Sequence, residues 1–409
     1  MTPGPATAHD LAARVKSKAA ELGFRPVGIA SAEAFDADLS RVLDWLDQGM
    51  QAGMTWLTQE RARTAADPAT LLEGAQSIVV VGAPYAHPSP EGVDGQPRGI
   101  VARYARGADY HDVMKARLTD LAAFIREASA GDIADDGPRT RIFVDSSPLL
   151  ERAAAVRAGL GFVGKNTNLL TAQAGSWLLL GAVLTTAQMA PDTPPQRDCG
   201  RCRLCLDACP TGALPEPFVL DANRCISYLT IEHRDAIPHE LRPQMGNLVF
   251  GCDICQDVCP WNRGQRPPGW PEFDGDENAA RPPLADMLAL TDAGFRERYR
   301  RTPLWRTKRR GLARNAAVAL GNVGTEADLP TLAQALRDLE PLVRGHAAWA
   351  IGRIGAATGA GRDLLLAARD AEDDVRVLDE IDRALAMLDT SRTQQNAADA
   401  GGPASAARS

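Results

Sequence analysis

The 409-residue sequence has no apolar run long enough to cross a bilayer. The longest, Trp177 to Leu184, falls far short of the ~20 residues a spanning helix needs. Residues 1–24 lack the apolar core of a signal peptide; Leu11, Val15 and Leu22 recur between charges at helical spacing instead. These absences predict a soluble cytoplasmic protein with no membrane contact. Net positive charge is absent too: 45 Lys and Arg against 52 Asp and Glu give −7, which argues against a generic polyanion binder. The distribution differs from the sum. Between Arg296 and Arg314 stand nine basic residues and one acid, Glu297, so a local basic patch is set in an acidic body. No P-loop occurs. The G-x-G-x-x-G string Gly159 to Gly164 follows a helix-like stretch rather than a strand, which removes the dinucleotide-binding context. Cysteine is missing outside residues 199–259.

Apolar residues make up 45% of the chain, enough for two or three cored domains. Residues 8–190 alternate helix signals (Ala8–Leu22, Leu39–Leu46, Tyr110–Ala128) with strand signals (Pro26–Ala30, Ser77–Gly82, Thr140–Val144, Trp177–Thr185), which predicts an α/β layer domain. A cysteine-bearing block follows over 191–270, flanked by prolines (Pro191, Pro194 and Pro195 before; Pro267, Pro268 and Pro271 after). From 283 to 389 the chain turns helical and repetitive: Ala316–Gly324 matches Ala347–Gly355 at a constant offset, and a weaker third copy starts at Val375. Stacked HEAT-like helical pairs are expected, a plain Ala-rich bundle being the alternative. Residues 390–409, small and polar, read as a disordered tail.

Eight cysteines in a cytosolic chain point to metal or redox chemistry rather than disulfides. Cys199-x2-Cys202-x2-Cys205-x3-Cys209-Pro210 is the bacterial two-cluster ferredoxin run, and Cys252-x2-Cys255-x3-Cys259-Pro260 is a second, shortened one. In such runs the fourth cysteine serves the other cluster. That rule assigns Cys199, Cys202, Cys205 and Cys259 to one [4Fe–4S] cluster. Cys209, Cys225, Cys252 and Cys255 then hold the second, Cys225 replacing the missing first cysteine. Two four-cysteine zinc sites are the alternative, but zinc favours paired CxxC motifs. The C-x3-C-x2-C spacing of radical SAM enzymes is absent.

The strand-like run Thr140–Val144 ends in Asp145-Ser146-Ser147-Pro148 and leads into helical sequence. Asp145 there is either a chemical group at a strand end or a helix N-cap. Arg152 would lie two helical turns on, on the same face. The loop Gly159–Asn168, with Lys165 among its polar residues, is either a backbone cradle for an anion or cofactor edge or a plain glycine helix stop.

Taken with the double cysteine run and the repeats, the segments Arg103–His111, Val144–Arg152, Ala158–Lys165, Cys225–Glu232 and Gly251–Asn262 resemble the epoxyqueuosine reductases, in order from about residue 10 to 355. The resemblance implies reduction of epoxyqueuosine to queuosine at the tRNA wobble position, the last step of queuosine biosynthesis. It implies cobalamin, bound base-off in the α/β domain beside two [4Fe–4S] clusters, and a kinship with corrinoid reductive dehalogenases. A cluster would reduce cobalt to its nucleophilic Co(I) state. Asp145 falls on the proposed proton donor and Arg152 on an arginine near cobalt. Tyr104, the Lys165–Asn168 loop, Ser227 and Asp253 fall in the cobalamin surroundings. To act as an acid, Asp145 would need a raised pKa, which a close Arg152 would oppose. Asp109-Tyr110-His111 starts a D-x-H-x-x-G cobalt-ligand motif, but Met114 replaces its glycine; His111 is therefore read as a surface or capping residue. Arg300, Arg301, Arg306, Lys308, Arg309 and Arg310, interleaved with Tyr299 and Trp305, are expected to meet tRNA phosphates and bases, a solvated helix face being the bland alternative. A monomer served by a separate low-potential electron donor is expected. A small-molecule corrinoid reductase and a non-enzymatic ferredoxin–HEAT electron carrier remain the competing functions.

Overall fold

A computed structural model describes residues 7–88, 95–129, 137–264 and 269–400. Pro267 and Pro268 lie outside them. No helix among the described residues is long and apolar enough to cross a membrane.

The first block is a four-stranded sheet layered with helices. Its strands are β1 (Val27–Ser31), β2 (Ser77–Pro84), β3 (Thr140–Phe143) and β4 (Leu178–Thr185). They lie in the order β1-β2-β4-β3 and every pairing is antiparallel. Helix and strand alternate as the sequence predicts, but no parallel crossover exists, so the strand-end rule of parallel sheets does not apply. Strand β2 is buried at every position because both sheet faces are covered. One face carries α1 (Ala8–Glu21) and α2 (Tyr110–Ala128), which contribute Leu11, Val15, Met114, Leu118 and Leu121 to one core. The other face carries the short helix α3 (Glu151–Arg157), with Ala154 and Ala155 packed on Ile78, Val80 and Leu184. Phe162–Val163 and Leu169–Leu170 form a small hairpin. The Gly159–Asn168 stretch is therefore a hairpin and its tip.

The cysteine-bearing block does not stand apart. Ile100 and Val101 pair in parallel with the strand Leu248–Phe250. After the last cysteine the chain returns to the first block, where Trp270 donates its indole N–H to the Gly23 carbonyl at 3.0 Å. On the other side, residues Ala222–Phe250 share one continuous core with Leu284–Leu388.

That core is dominated by three long helices: α4 (Lys308–Val323), α5 (Pro341–Thr358) and α6 (Val375–Ala400). Shorter helices Leu329–Ala335 and Arg362–Asp370 stand between them. The repeated small residues have a steric reason: a Cβ on Gly321 would lie 2.9 Å from Ala350 Cα, and one on Gly352 2.8 Å from Ala384 Cα. The weak third copy at Val375 starts α6. That helix also corrects the expected tail, since residues 390–400 are helical; 401–409 lie outside the described residues. A helix already nucleated by packing extends at little cost through Ala, Gln and Arg.

Arg314 on α4 is fully buried. Its guanidinium donates to the carbonyls of Leu229, His233 and Asp235 at 2.6, 2.9 and 2.8 Å, and to Asn315. Asn315 in turn donates to the carbonyls of Thr230 and Val249. Leu229 and Thr230 belong to the helix Ile226–Ile231 that follows Cys225, so its C-terminal carbonyls are satisfied by the repeat domain. Burial draws the Arg314 pKa down, with Arg234 and Arg242 next in effect. Replacing Arg314 with Leu strands these carbonyls, and stability should fall by about 3 kcal/mol or more. Urea unfolding against wild type measures this, with the midpoint shift as readout.

Candidate active site between three modules

Asp145 sits just past β3 with φ +51, a left-handed conformation uncommon outside glycine. It is not a helix cap. Helix α3 begins only at Glu151 with Leu150 at its N-cap, so Asp145 and Arg152 do not share a helix face. The Asp145 N–H instead donates to Glu151 Oε1 at 2.7 Å, and Arg61 holds the Ser146 carbonyl at 3.0 Å. The Asp145 carboxylate accepts from the Tyr110 hydroxyl at 2.5 Å and lies 3.6 Å from His111 Nε2. Asp109 caps α2, accepting from the His111 N–H at 3.0 Å and meeting its Nδ1 at 2.8 Å. His111 is thus clamped between two carboxylates and stacks on Tyr110 with ring centroids 4.1 Å apart.

This geometry sets the protonation. Burial opposes the His111 charge, but its bonds to Asp109 and Asp145 outweigh that and lift its pKa to about 9. The neighbouring imidazole in turn holds the Asp145 carboxyl below its usual range, over the opposing effect of burial. The raised pKa that Asp145 would need to act as an acid is therefore not found: its carboxylate faces an imidazolium, which lowers it. The raised carboxyl is Glu151, pushed by burial and then by the Asp145 charge to about 8.

Asp145 is shared by two adjoining cavities. One, of about 750 Å³, is lined by Tyr104, Tyr110, His111, Cys225, Ser227 and Arg306, among others. The other, of about 840 Å³, runs past Trp45, Arg152 and Val163. Trp56 and Arg61 also border both. Tyr104, Asp145 and Ser227 therefore share one cavity, and the exposed Arg152 lines the adjoining one. Neither cavity is lined by the three other residues expected at cobalamin. Lys165 Nζ donates to the carbonyls of Gly200 and Cys202 at 2.7 and 2.9 Å. Asn168 Nδ2 lies 4.0 Å from Cys255 Sγ. Buried Asp253 accepts from the Arg103 backbone and guanidinium at 2.8 and 3.1 Å. All three join the first block to the cysteine loops.

None of the eight cysteines forms a disulfide. Cys205 interacts electrostatically with Cys199 and Cys259, and Cys259 with Cys199 and Cys202. Cys225 interacts with Cys209, Cys252 with Cys225 and Cys209, and Cys255 with Cys252, Cys225 and Cys209 but also with Cys205. Burial pushes the Cys252 thiol up to about 12, so a charged thiolate there calls for a cation.

The basic segment divides. Arg300, Arg301, Lys308 and Arg310 are exposed, and Arg300 and Arg301 line a cleft with Arg296 and Arg298. Arg306 pairs with Glu232 through two bonds, at 2.9 and 3.0 Å, at the cavity wall. Arg309 is corrected: it is buried and bound twice to Asp338, at 2.8 and 2.7 Å, which leaves no free charge for a phosphate. Tyr299 is buried as well, and Trp305 stacks on Phe295. The segment is tied to the acid corner directly, since the Asp109 N–H donates to the Arg301 carbonyl at 2.9 Å.

Tyr110 and Glu151 escaped the sequence reading, and His111, read there as a surface or capping residue, stands at the acid itself. The signal was present: an Asp N-cap followed by Tyr-His puts both rings on the first turn of a helix, but nothing local shows that this turn faces Asp145.

A two-cysteine-group module fused to a sheet domain and a helical repeat defines an iron–sulfur protein of modular type. A model of the 4Fe-4S double cluster binding domain matches residues 198–262, and one of HEAT repeats matches 306–386. A third, of epoxyqueuosine reductase, matches 66–146. The chain belongs to the epoxyqueuosine reductase family. It is 39% identical over 353 residues to an epoxyqueuosine reductase of Xanthomonas campestris, covering 85% of this chain and 97% of that one. It is 36% identical to that of Escherichia coli, over 85% and 91%. A solved epoxyqueuosine reductase with an epoxyqueuosine-modified tRNA-Tyr stem loop superposes with a TM-score of 0.85 at 34% identity, over 94% and 100% of the two chains.

Replacing Cys225 with Ser should remove about four irons and spare the other cluster, because each cubane needs its own four ligands. Iron analysis with EPR of the reduced protein checks this.

Proposed function

We propose that this chain reduces epoxyqueuosine to queuosine in tRNA, within three domains spanning 8–190, 191–270 and 283–389. One observation carries the reading: a single cavity is bordered by the Asp145–His111–Tyr110 corner, by the Cys225 thiol and by Arg306 and Trp305 of the basic segment. Proton source, electron source and substrate-binding surface meet there.

Cys199, Cys202, Cys205 and Cys259 would hold one [4Fe–4S] cluster, and Cys209, Cys225, Cys252 and Cys255 the other. Their electrostatic neighbours fall within that division save one, Cys255 with Cys205. The fit to cobalamin rests on space and polarity. Two adjoining cavities give more room than one drug-sized pocket. Gln51 Oε1, three residues before cavity-lining Met54, is buried with no hydrogen-bond partner among the described residues, suited to a donating amide. Tyr104, Asp145 and Ser227 of one cavity and Arg152 of the adjoining one would hold the corrinoid. When bound, cobalamin supplies strongly reducing electrons at its metal.

The protein's own part is protonic and positional. Turning an epoxide into an alkene and water consumes two electrons and two protons, and a proton must reach the departing oxygen. Asp145 is ionised at neutral pH, so the proton resides on His111. The Asp145 carboxylate, exposed to the cavity, would relay that proton from the imidazolium in step with the negative charge developing on the departing oxygen, because its lowered pKa keeps it from taking the proton beforehand. Asp109 holds the ring in place, and Tyr110 steadies the carboxylate. Glu151 stays protonated near neutrality, which spares Asp145 a second negative neighbour. Arg300, Arg301, Lys308 and Arg310 draw the tRNA backbone, with Arg306 at the cavity wall.

Asp145→Asn should lower single-turnover reduction of epoxyqueuosine tRNA by about 10²–10⁴-fold at equal cobalamin loading, the usual worth of a positioned acid. Equal rates would remove Asp145 from the proton path. His111, with its pKa raised, is charged below about pH 9 and loses its proton above it. The wild-type rate should therefore fall as pH rises through that range. His111→Gln should abolish this alkaline limb, whereas Glu151→Gln should keep it. A pH profile of kcat/KM distinguishes the three.

Neutralising Arg300 and Arg301 should reduce the salt dependence of tRNA binding by about one phosphate contact per charge. Iron and cobalamin content should not change. Binding measured across a salt series checks this, with Arg309→Ala expected to lower stability instead.

A further inference from the structure

The two cysteine groups face different surroundings. The second borders the active-site cavity through Cys225. The first lies under outward-facing residues: half-buried Cys202 is flanked by exposed Arg201, Arg203 and Leu204, and Arg197 precedes Cys199 by two residues. Leu204 is 43% exposed and Phe218 53%, large for apolar side chains. Phe218 is tied to the same loop through Lys165: its N–H donates to the Lys165 carbonyl at 3.0 Å while Lys165 Nζ binds Gly200 and Cys202. Its φ of +70 is a conformation few non-glycine residues adopt. Arg197 lies over the Trp261 ring, 5.8 Å from its centroid, and Trp261 packs with Cys199 and Cys259.

The charges here run against the acidic total. Arg197, Arg201, Arg203 and Lys165 stand against the acids Asp198, Asp207 and Glu216, an excess of one positive charge. Asp198 accepts from the Gly200 N–H at 2.7 Å, and Asp207 stands 3.7 Å from Arg203. In a protein of net charge −7, a cationic collar around two exposed apolar side chains favours a negatively charged partner over a random encounter. Weak redox encounters need only a small contact.

We infer that the Arg197–Arg201–Arg203–Leu204–Phe218 surface docks a small acidic one-electron carrier protein, which reduces the cluster held by Cys199, Cys202, Cys205 and Cys259. The inference rests on the cluster assignment proposed above. Each encounter moves one electron: the carrier is oxidised by one and the cluster reduced by one, with no bond made or broken. Two encounters, with two protons drawn through the His111 corner, supply the conversion of epoxide to alkene and water.

The probe is a prereduced plant-type [2Fe–2S] ferredoxin, acidic and of low potential near −400 mV. It is mixed anaerobically with holoprotein, and cluster reduction is followed by freeze-quench EPR. At low ionic strength Arg201→Glu/Arg203→Glu should slow reduction by about tenfold or more and flatten the salt dependence seen with wild type. Leu204→Ala should weaken binding severalfold without changing the salt slope. Dithionite, which needs no docking, should reduce wild type and both variants at equal rates. Full iron content with unchanged ferredoxin rates and salt dependence in the double Glu variant overturns the docking surface alone. Wild type that takes up no clusters overturns the cluster assignment, and the docking surface with it.

Discussion

The buried Arg314 guanidinium is the interaction on which the other parts depend. It satisfies carbonyls on the helix after Cys225 and on the turn beyond it, groups that would otherwise be orphaned inside a shared core. A cation so deep is tolerable only with several acceptors. Those acceptors come from the cysteine block, so repeat and cluster module are held in one register. Arg242 repeats the device further along, bound to Glu380 at 2.9 and 2.6 Å. Part of the arginine excess of this region is thus structural cement rather than an RNA surface.

The same register delivers the substrate surface to the chemistry. The stretch just before α4 carries the exposed arginines, and its backbone is hydrogen-bonded to Asp109. Asp109 also positions His111, which charges against Asp145. A short chain of contacts therefore links the surface that would hold tRNA to the acid that would act on it. The acid corner works by competition between burial and pairing. Burial alone would push the His111 pKa down and the Asp145 pKa up, and two carboxylates around one imidazole reverse both directions.

The elements most legible in the sequence are those whose signals are local. Helix α2 starts and ends at Tyr110 and Ala128 as its periodicity predicts, and β2 and β4 follow their unbroken apolar runs to within two residues. The constant offset between Ala316–Gly324 and Ala347–Gly355 is visible because close helix packing demands small residues at fixed intervals. The cysteine runs are legible because a cubane fixes ligand spacing along the chain. The tail was misread because composition says nothing about a helix already nucleated upstream.

What the sequence determined by itself was therefore the set of modules, the cysteine inventory and the candidate acid, all written in short-range spacing. Only the tertiary structure decided which side chains share a cavity. It brought His111 and Tyr110 to Asp145 across about 35 residues, turned Lys165 and Asn168 toward the cysteine loops and Asp253 toward Arg103 of the first block, and buried Arg309 against Asp338. Each outcome depends on long-range docking of one element on another. The protonation of Asp145 was equally closed to the sequence, because a pKa is set by the groups that folding brings near it.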